Sequence, residues 1–537
     1  MINKLAVLFL TMTTLSLYAC NADQGSIQKP ISSTTQIQAV AEAPTKEGIP
    51  WFDGSIDEAF ATARTENKPV FLYWGAQWCP PCHELKATIF LREEFIEQSK
   101  LFVPVYLDGD TERAQQYGEK FGVQGYPTVI IFDPAGIEIT RIPGGMNIEQ
   151  YVGVLELALN ALHPVKELLL AVQAGQDIRD DDWQLLANYS WDQDRGMALG
   201  DGNLHLALRN MAAACPDRLA ATKSKLQMLA VGAWARNKKR DESLAPQYIV
   251  DVQRILQDRA LARDNLSLFI TAGADIVKAM PGKEQAAALR EQIATLLATT
   301  VGDTSMGVLA RIEAIYAWVE VNKTALPEDG ELSAAQQDWV KAQVAATRSQ
   351  INNYQQHTAL NTISQIYLNA GLVPEARTTL LEGIEISSQP YYFMSGMAYL
   401  EKQAGNADAA IAWHKQAWDA AQGPATRIQW GSNYLFALIA LSPDDIEGIR
   451  AAGTILFNEL AQQKDGLHQR TSGRMNRLSR MLLAWAEPAA GETTTAQQRQ
   501  LVLNQLRSQM DKLCSGAAPE GEGFATCESF LEPGASA

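Results

Sequence analysis

The feature that most constrains this chain is a change of pattern near residue 163. Before it, short apolar runs alternate with helical segments; after it, strand signals stop and one helical segment follows another to about residue 512. Such a pattern specifies a multidomain protein, an α/β unit followed by an all-α one, and 537 residues exceed what a single core holds. With 47% hydrophobic and 20% charged residues the composition is that of globular protein. A net charge of −16 argues against a nucleic-acid partner, whose footprint is a basic patch.

Within 49–162, "GSIDEAFATARTENK" opens a helix with a capping box, Ser55 and Glu58 three residues on. "PVFLYW" (69–74) is continuously apolar, as a strand buried on both faces must be. "CPPCHELKATIFL" starts a second helix, and "LFVPVYLD" (101–108) reads as a strand with Pro104 marking a bulge or irregular start. "TERAQQYGEKFG" is helical. "TVIIFD", the "DPAG" turn and "IEITRI" form a hairpin, and "NIEQYVGVLELALNAL" closes the unit. The predicted order is α-β-α-β-α-β-β-α.

In 163–512, "NAGLVPEARTTLLEGIEIS" and "KQAGNADAAIAWHKQAWDA" align at an offset of 34 residues, Gly371 over Gly405 and Ala376 over Ala410. Glycine between helices, with small residues where the two approach, resembles the tetratricopeptide pattern over 355–421. Tyr367 and Tyr399 stand near its large first-helix position, Tyr399 two residues out of phase. The rest of the region reads as a helical-hairpin array. Tryptophans at helical spacing, as in "WQLLANYSWDQD", read as core rather than as ligand-binding aromatics.

At the N-terminus, Lys4 precedes the short apolar run "LAVLFLTMTTLSL", the layout of a secretory signal over residues 1–20. Leu17-Tyr18-Ala19-Cys20 resembles a bacterial lipobox, which makes Cys20 a lipidation candidate and implies a protein of the periplasm or cell envelope. Cleavage after Ala22 is the alternative, since Tyr18 departs from the usual small or aliphatic residue. Residues 21–48 are polar and aperiodic, a flexible linker.

Export changes how the six cysteines are read, because disulfides persist outside the cytosol. Cys514 and Cys527 flank a Gly- and Pro-rich stretch in the tail, 513–537, which reads as poorly ordered apart from the candidate structural disulfide they form. Cys215 reads as a small buried apolar residue. Cys79-Pro80-Pro81-Cys82 alone is compatible with metal, inert crosslink or redox chemistry. A zinc site needs four ligands, usually two such pairs, but no second CxxC exists and the six histidines are scattered through the chain; His83 beside Cys82 does not complete a set. Position favours redox chemistry. Cys79 falls where a helix follows a buried strand, so free N–H groups and the helix dipole favour its thiolate. Pro80 and Pro81 suit the first helical positions, having no N–H to leave unpaired. Cys82, one turn on, can resolve a mixed disulfide. No cofactor beyond this dithiol is implied.

"FLYWGAQWCPPC" together with "YGEKFGVQGYPTVIIFDPAG" resembles a thioredoxin-fold protein, and is similar to the periplasmic thioredoxin-like domain of thiol:disulfide interchange proteins. The resemblance covers about 115 residues, 49–162. It implies that Pro127 is a cis-proline beside the cysteine pair, that Trp78 and Tyr126 shape the substrate groove, and that Gly144 follows the last strand. Two departures concern the proton. Tyr73 stands where the family carries a buried acid six before the first cysteine, and Tyr106 where it carries a lysine. His83, Glu84 or water are the remaining carriers.

Two functions follow. The first is an exported protein-disulfide oxidoreductase, acting on protein thiols and disulfides, fed by a membrane reductase and aided by helical repeats that bind substrate or partner. The resemblance tilts its direction to reduction or isomerisation. The second is a binding or assembly protein of the cell envelope, in which the helical repeats carry the function and the α/β unit is accessory.

Overall fold

A computed structural model describes residues 48–77, 79–123, 125–142, 148–161, 163–194, 196–327, 330–487, 493–515 and 522–532. Cys20, the 1–20 signal, most of the 21–48 linker, Trp78 and Gly144 lie outside the described residues.

The α/β unit runs α1 (Ile56–Glu66), β1 (Val70–Gly75), α2 (Pro80–Thr88), α3 (Glu93–Gln98), β2 (Val103–Asp108), α4 (Ala114–Lys120), β3 (Thr128–Phe132), β4 (Glu138–Ile142) and α5 (Ile148–Leu159). The sheet order is β2-β1-β3-β4, with β1 parallel to β2 and antiparallel to β3. The Ser55–Glu58 box is formed, Ser55 N donating to Glu58 Oε2 at 2.8 Å and Glu58 N to Ser55 Oγ at 3.2 Å. β1 is buried at every position because successive side chains leave opposite faces of a covered sheet. Phe71 and Tyr73 enter one core, Val70, Leu72 and Trp74 the other. Pro104 marks no bulge, contrary to expectation; it pairs in register with Phe71. β2 lies at the sheet edge, where a missing N–H leaves no neighbouring strand unsatisfied.

Helices then succeed one another: α6 (Val165–Gln173), α7 (Asp180–Asn188), α8 (Leu204–Ala214), α9 (Ala220–Arg236), α10 (Ala245–Gln257), α11 (Arg259–Asp264), α12 (Leu266–Lys278), α13 (Lys283–Gly302), α14 (Val308–Lys323) and α15 (Ala334–Arg348). There follow α16 (Gln356–Asn369), α17 (Val373–Ile386), α18 (Tyr391–Gln403), α19 (Ala407–Ala420), α20 (Pro424–Leu441), α21 (Ile446–Leu460), α22 (Gln469–Ala486), α23 (Thr493–Cys514) and α24 (Glu522–Ser529). Among the described residues no strand occurs after β4, and no helix is long and apolar enough to cross a membrane.

The two aligned segments are hairpins, α16–α17 and α18–α19. Their turns carry Gly371 and Gly405, both at φ 79°, a conformation glycine adopts without steric cost. Ala376 and Ala410 are fully buried where the helices meet. Tyr399 is 38% exposed, whereas Tyr367 is 9% exposed. The position in phase with Tyr367 is held by Glu401, whose carboxylate accepts from Arg377 Nη1 at 2.6 Å and Asn406 Nδ2 at 2.8 Å.

The described part of the tail, 513–515 and 522–532, is not loose, contrary to expectation. α23 continues to Cys514, a disulfide joins Cys514 to Cys527 on α24, and Phe530 and Leu531 are buried in the last core. Two apolar residues just past α24 anchor it, which the Gly- and Pro-rich stretch before it concealed.

Two junctions join the units. Arg141 on β4 is fully buried and donates to the carbonyls of Phe121 (2.7 Å) and Gly122 (3.1 Å) and to Glu138, while its own carbonyl accepts from Ser190 N at 3.1 Å. A buried guanidinium persists only with such satisfaction. The second junction returns the far helices to the α/β unit. Asp110 accepts from Thr426 N and Oγ1, both at 3.0 Å, and Asp465 accepts from Gln115 N at 2.7 Å. His468 Nδ1 lies 2.5 Å from Glu119 Oε2, and Gln469 Nε2 donates to the Val123 carbonyl. Gly423 has φ 85°, and a Cβ there would stand 2.6 Å from an Asp110 oxygen, so glycine is required twice over.

Asp110→Ala is expected to lower the unfolding free energy by about 1–3 kcal/mol through the lost charge-assisted bonds, and Gly423→Ala by about as much through backbone strain and overpacking. Urea denaturation measures both; wild-type midpoints in the two variants would show that this junction does not hold the chain closed.

Candidate functional site

Cys79 is the N-cap of α2, in extended conformation, and its sulfur accepts from Cys82 N at 3.2 Å. The two cysteines form a disulfide with Cα atoms 5.2 Å apart. Pro80 and Pro81 occupy the opening turn of the helix. The Tyr126–Pro127 peptide bond is cis, and Thr128 Oγ1 donates to the Gly125 carbonyl at 2.7 Å, tying the loop that carries it to β3. The hydroxyl end of Tyr126 comes so close to Gly109 that a Cβ there would stand 2.1 Å from it.

Beneath the disulfide, Tyr73 and Tyr106 are register partners on β1 and β2 and stack at 5.3 Å. Burial, then the charge of Asp108, pushes both phenols well above their ordinary range, so they stay protonated. The Tyr73 hydroxyl is buried without a hydrogen-bond partner. Lys86, two turns beyond Cys79 on α2, sits 4.4 Å from the centre of the Tyr106 ring and donates to its hydroxyl at 3.3 Å. Tyr106 donates onward to Asp108 Oδ2 at 3.0 Å, and the same oxygen accepts from Gln77 N at 3.2 Å. Burial holds the Lys86 ammonium below its usual range, with Asp108 acting in the opposite sense. His83 Nε2 is 2.5 Å from the Gln77 carbonyl, and burial lowers its pKa. The position of the expected acid is thus aromatic, and a carboxylate and an ammonium reach the neighbourhood from the end of β2 and from α2. Sequence reading missed both; the signals were the aspartate ending "VPVYLD" and a lysine on the face of α2 that carries Cys79.

The helical array supplies the other half of the site. Cys79 is 2% and Cys82 0% exposed. Cys79 and Tyr126 open on a cavity of about 280 Å³ whose far wall comes from α16, α18, α20 and α22, including His357, Tyr392, Gln469 and Arg470. Nothing local in the sequence marks these residues. The His357 ring meets Tyr392 and Phe393 edge-on at 5.6 and 4.9 Å, and its Nδ1 is 2.5 Å from Ser387 Oγ. The Arg470 guanidinium stands 5.7 Å from the centre of the Tyr126 ring. Cys215 lies elsewhere, buried, its thiol pushed up to about 11 by that burial, and so poorly nucleophilic. Among the described residues no group of three or more His, Cys, Asp or Glu is placed to hold a metal.

Burial, with a smaller repulsion from His83, pushes His357 down to about 4 from an ordinary 6.5. A depressed histidine stabilises the fold fully above its unfolded pKa, and that contribution is lost as pH falls from 6.5 toward 4. Denaturation at pH 7, 5 and 4 is expected to show a shallower acid decline for His357→Gln than for the wild type. Parallel declines would place the imidazole in solvent.

The family model for a thioredoxin-like domain matches residues 56–159. The thiol:disulfide interchange protein DsbD of Yersinia pestis is 28% identical over 156 residues, which are 28% of this chain and 24% of that protein. Nucleoredoxin of Bos taurus is 26% identical over 110 residues, 16% of this chain and 25% of that protein. A solved thioredoxin from Thermus thermophilus is 23% identical, covers 20% of this chain and 85% of its own, and superposes with a TM-score of 0.19. The chain matches about a quarter of the length of these curated relatives. With the mixed β2-β1-β3-β4 sheet and a CxxC at the start of α2, residues 56–159 of this chain are a thioredoxin-like domain, and an all-α array follows it.

Proposed function

We propose that the protein is an exported thiol–disulfide oxidoreductase whose helical array encloses the redox pair. The observation that carries this reading is the placement of Cys79 as the N-cap of α2, bonded to Cys82, at the floor of a cavity shared with the cis-proline loop. In the reduced protein the N–H groups of the first turn and the helix dipole stabilise a Cys79 thiolate. That thiolate attacks a substrate disulfide sulfur, one substrate thiolate leaves, and Cys79 is held in a mixed disulfide. Cys82 then attacks Cys79 Sγ, releases the second thiolate and closes the Cys79–Cys82 bond. Lys86 and Asp108, joined through Tyr106, stand in for the proton-handling acid that Tyr73 replaces. The signal-like pattern of residues 1–20 supports a periplasmic or cell-envelope setting with Cys20 as the lipid attachment, and a membrane reductase is the natural electron donor for the reducing direction.

Burial of both sulfurs favours a second reading, in which the disulfide is structural and the array a binding or assembly scaffold. Turnover separates the two. The dithiothreitol-reduced protein is expected to reduce 2-hydroxyethyl disulfide, and Cys79→Ser to lose about 100-fold or more of that rate. Equal rates in the two proteins would reject the oxidoreductase. Equilibration with glutathione buffers then gives direction, a potential near about −270 mV marking a reductant and one near about −120 mV an oxidant.

A further inference from the structure

One group on the array's side of the cavity is placed to act on sulfur. His357 is the second residue of α16, the helix that packs across α2, and it lines the cavity together with Cys79. The charge of His83, the residue after Cys82, is felt at the imidazole, which therefore stands near the first turn of α2. The ring is held in place: Tyr392 and Phe393 pack edge-on against it, and Nδ1 is 2.5 Å from Ser387 Oγ.

This network also locates the ring's hydrogen. Ser387 Oγ accepts from Gln389 N at 2.9 Å, and among the described residues His357 Nδ1 is the one acceptor for its own hydrogen. The hydroxyl therefore donates to Nδ1, and the imidazole, neutral at pH 7, carries its hydrogen on Nε2. Nε2 has no hydrogen-bond partner among the described residues, so the cavity receives an oriented N–H donor.

Thiol–disulfide exchange needs such a donor at one point. When Cys79 attacks a disulfide, negative charge moves to the departing sulfur, on the side of the attacked sulfur away from Cys79. The opening turn of α2 serves the Cys79 sulfur and does not reach the departing one. Burial penalises a thiolate there as it does at Cys215.

We propose that His357, supplied by the array, is a catalytic residue of the exchange, its Nε2–H donating to the sulfur that departs when Cys79 attacks. The proposal rests on the oxidoreductase reading and adds a residue to its site. In the reducing direction the Cys79 thiolate forms a bond to one substrate sulfur and the substrate S–S bond breaks. The electron pair leaves on the second sulfur, which takes the His357 hydrogen bond and then a proton from solvent; the imidazole stays neutral throughout. Cys82 attacks Cys79 Sγ and releases the first sulfur as a thiolate. The substrate gains two electrons as two thiols, the protein is left as the Cys79–Cys82 disulfide, and an external dithiol restores it.

The test uses the full chain, reduced by dithiothreitol and freed of excess reductant, in single turnovers corrected for the rate of Cys79→Ser. Two neutral disulfides differ in their leaving group: 2-hydroxyethyl disulfide releases a basic alkyl thiolate, and 2,2′-dithiodipyridine one stabilised within its own ring. His357→Phe keeps an aromatic ring but no donor; it is expected to slow 2-hydroxyethyl disulfide by about tenfold or more and dithiodipyridine by less than about threefold. His357→Gln returns an N–H near Nε2 and is expected to recover part of the loss. Ser387→Ala frees the tautomer and serves where His357→Phe fails to fold, with a smaller loss of the same leaving-group dependence. Equal slowing toward both disulfides would mark a structural role, and wild-type rates in His357→Phe would remove the imidazole from the step. Either result overturns the proposal and leaves the oxidoreductase intact, whereas a wild type inert toward both disulfides overturns both.

Discussion

The site depends on the bonds that bring the end of the chain back to its beginning. Asp465 accepting from Gln115 N, Asp110 accepting twice from Thr426, and Gln469 donating to the Val123 carbonyl join residues more than three hundred positions apart. Each uses a backbone group of a loop or helix start that has no partner within its own element, so the two units complete each other's hydrogen bonding. With α22 fixed against α4, Arg470 is set beside Tyr126 and α16 is set over the start of α2. Remove this closure and Cys79 would sit on an open face.

Enclosure changes the chemistry of the cysteine. A buried thiolate is costly, and burial alone raises a thiol pKa, as it does for Cys215. Cys79 differs in being an N-cap. Its sulfur already accepts the Cys82 N–H, and the opening turn of α2 directs its field at the same atom. Low dielectric strengthens that field as much as it weakens solvation. The same logic applies below the disulfide. A carboxylate at position 73 would be buried between aromatic rings, whereas Asp108 remains half-buried at the end of β2, with Tyr106, Gln77 N and Asp110 N as donors.

The α/β unit was legible because its signals are local: alternating periods, a capping box, an unbroken apolar run for a doubly covered strand, and two proline-bearing motifs. Pro104 misled because a lone sequence does not say which strand lies at the edge. The tail misled because Phe530 and Leu531, the residues that anchor it, follow a stretch whose composition reads as loop. In the repeat region the glycine turns and alanine contacts at an offset of 34 were readable. Glu401, standing where a large apolar residue was expected, was not, since its burial is compensated by Arg377 and Asn406 rather than by size. His357, Tyr392 and Arg470 left no local trace, because their place at the site follows from closure of the whole array.

That asymmetry bears on how the two units divide the work. The cysteine pair, its helix start and the cis-proline loop are what any chain with this pattern of residues builds, and they determine that a sulfur can attack a sulfur. They do not determine which sulfur arrives. Here the wall facing Cys79 is made of side chains with no redox chemistry of their own, one guanidinium, one neutral imidazole, amides and a phenol, on helices tied to the α/β unit by polar contacts such as Asp110–Thr426 and Asp465–Gln115. Substitutions in that wall can alter the shape and charge of the entrance without touching the helix start that activates Cys79. On the proposed oxidoreductase reading, selectivity and reactivity are therefore separable, with the array lining the approach to Cys79 and the helix start activating it.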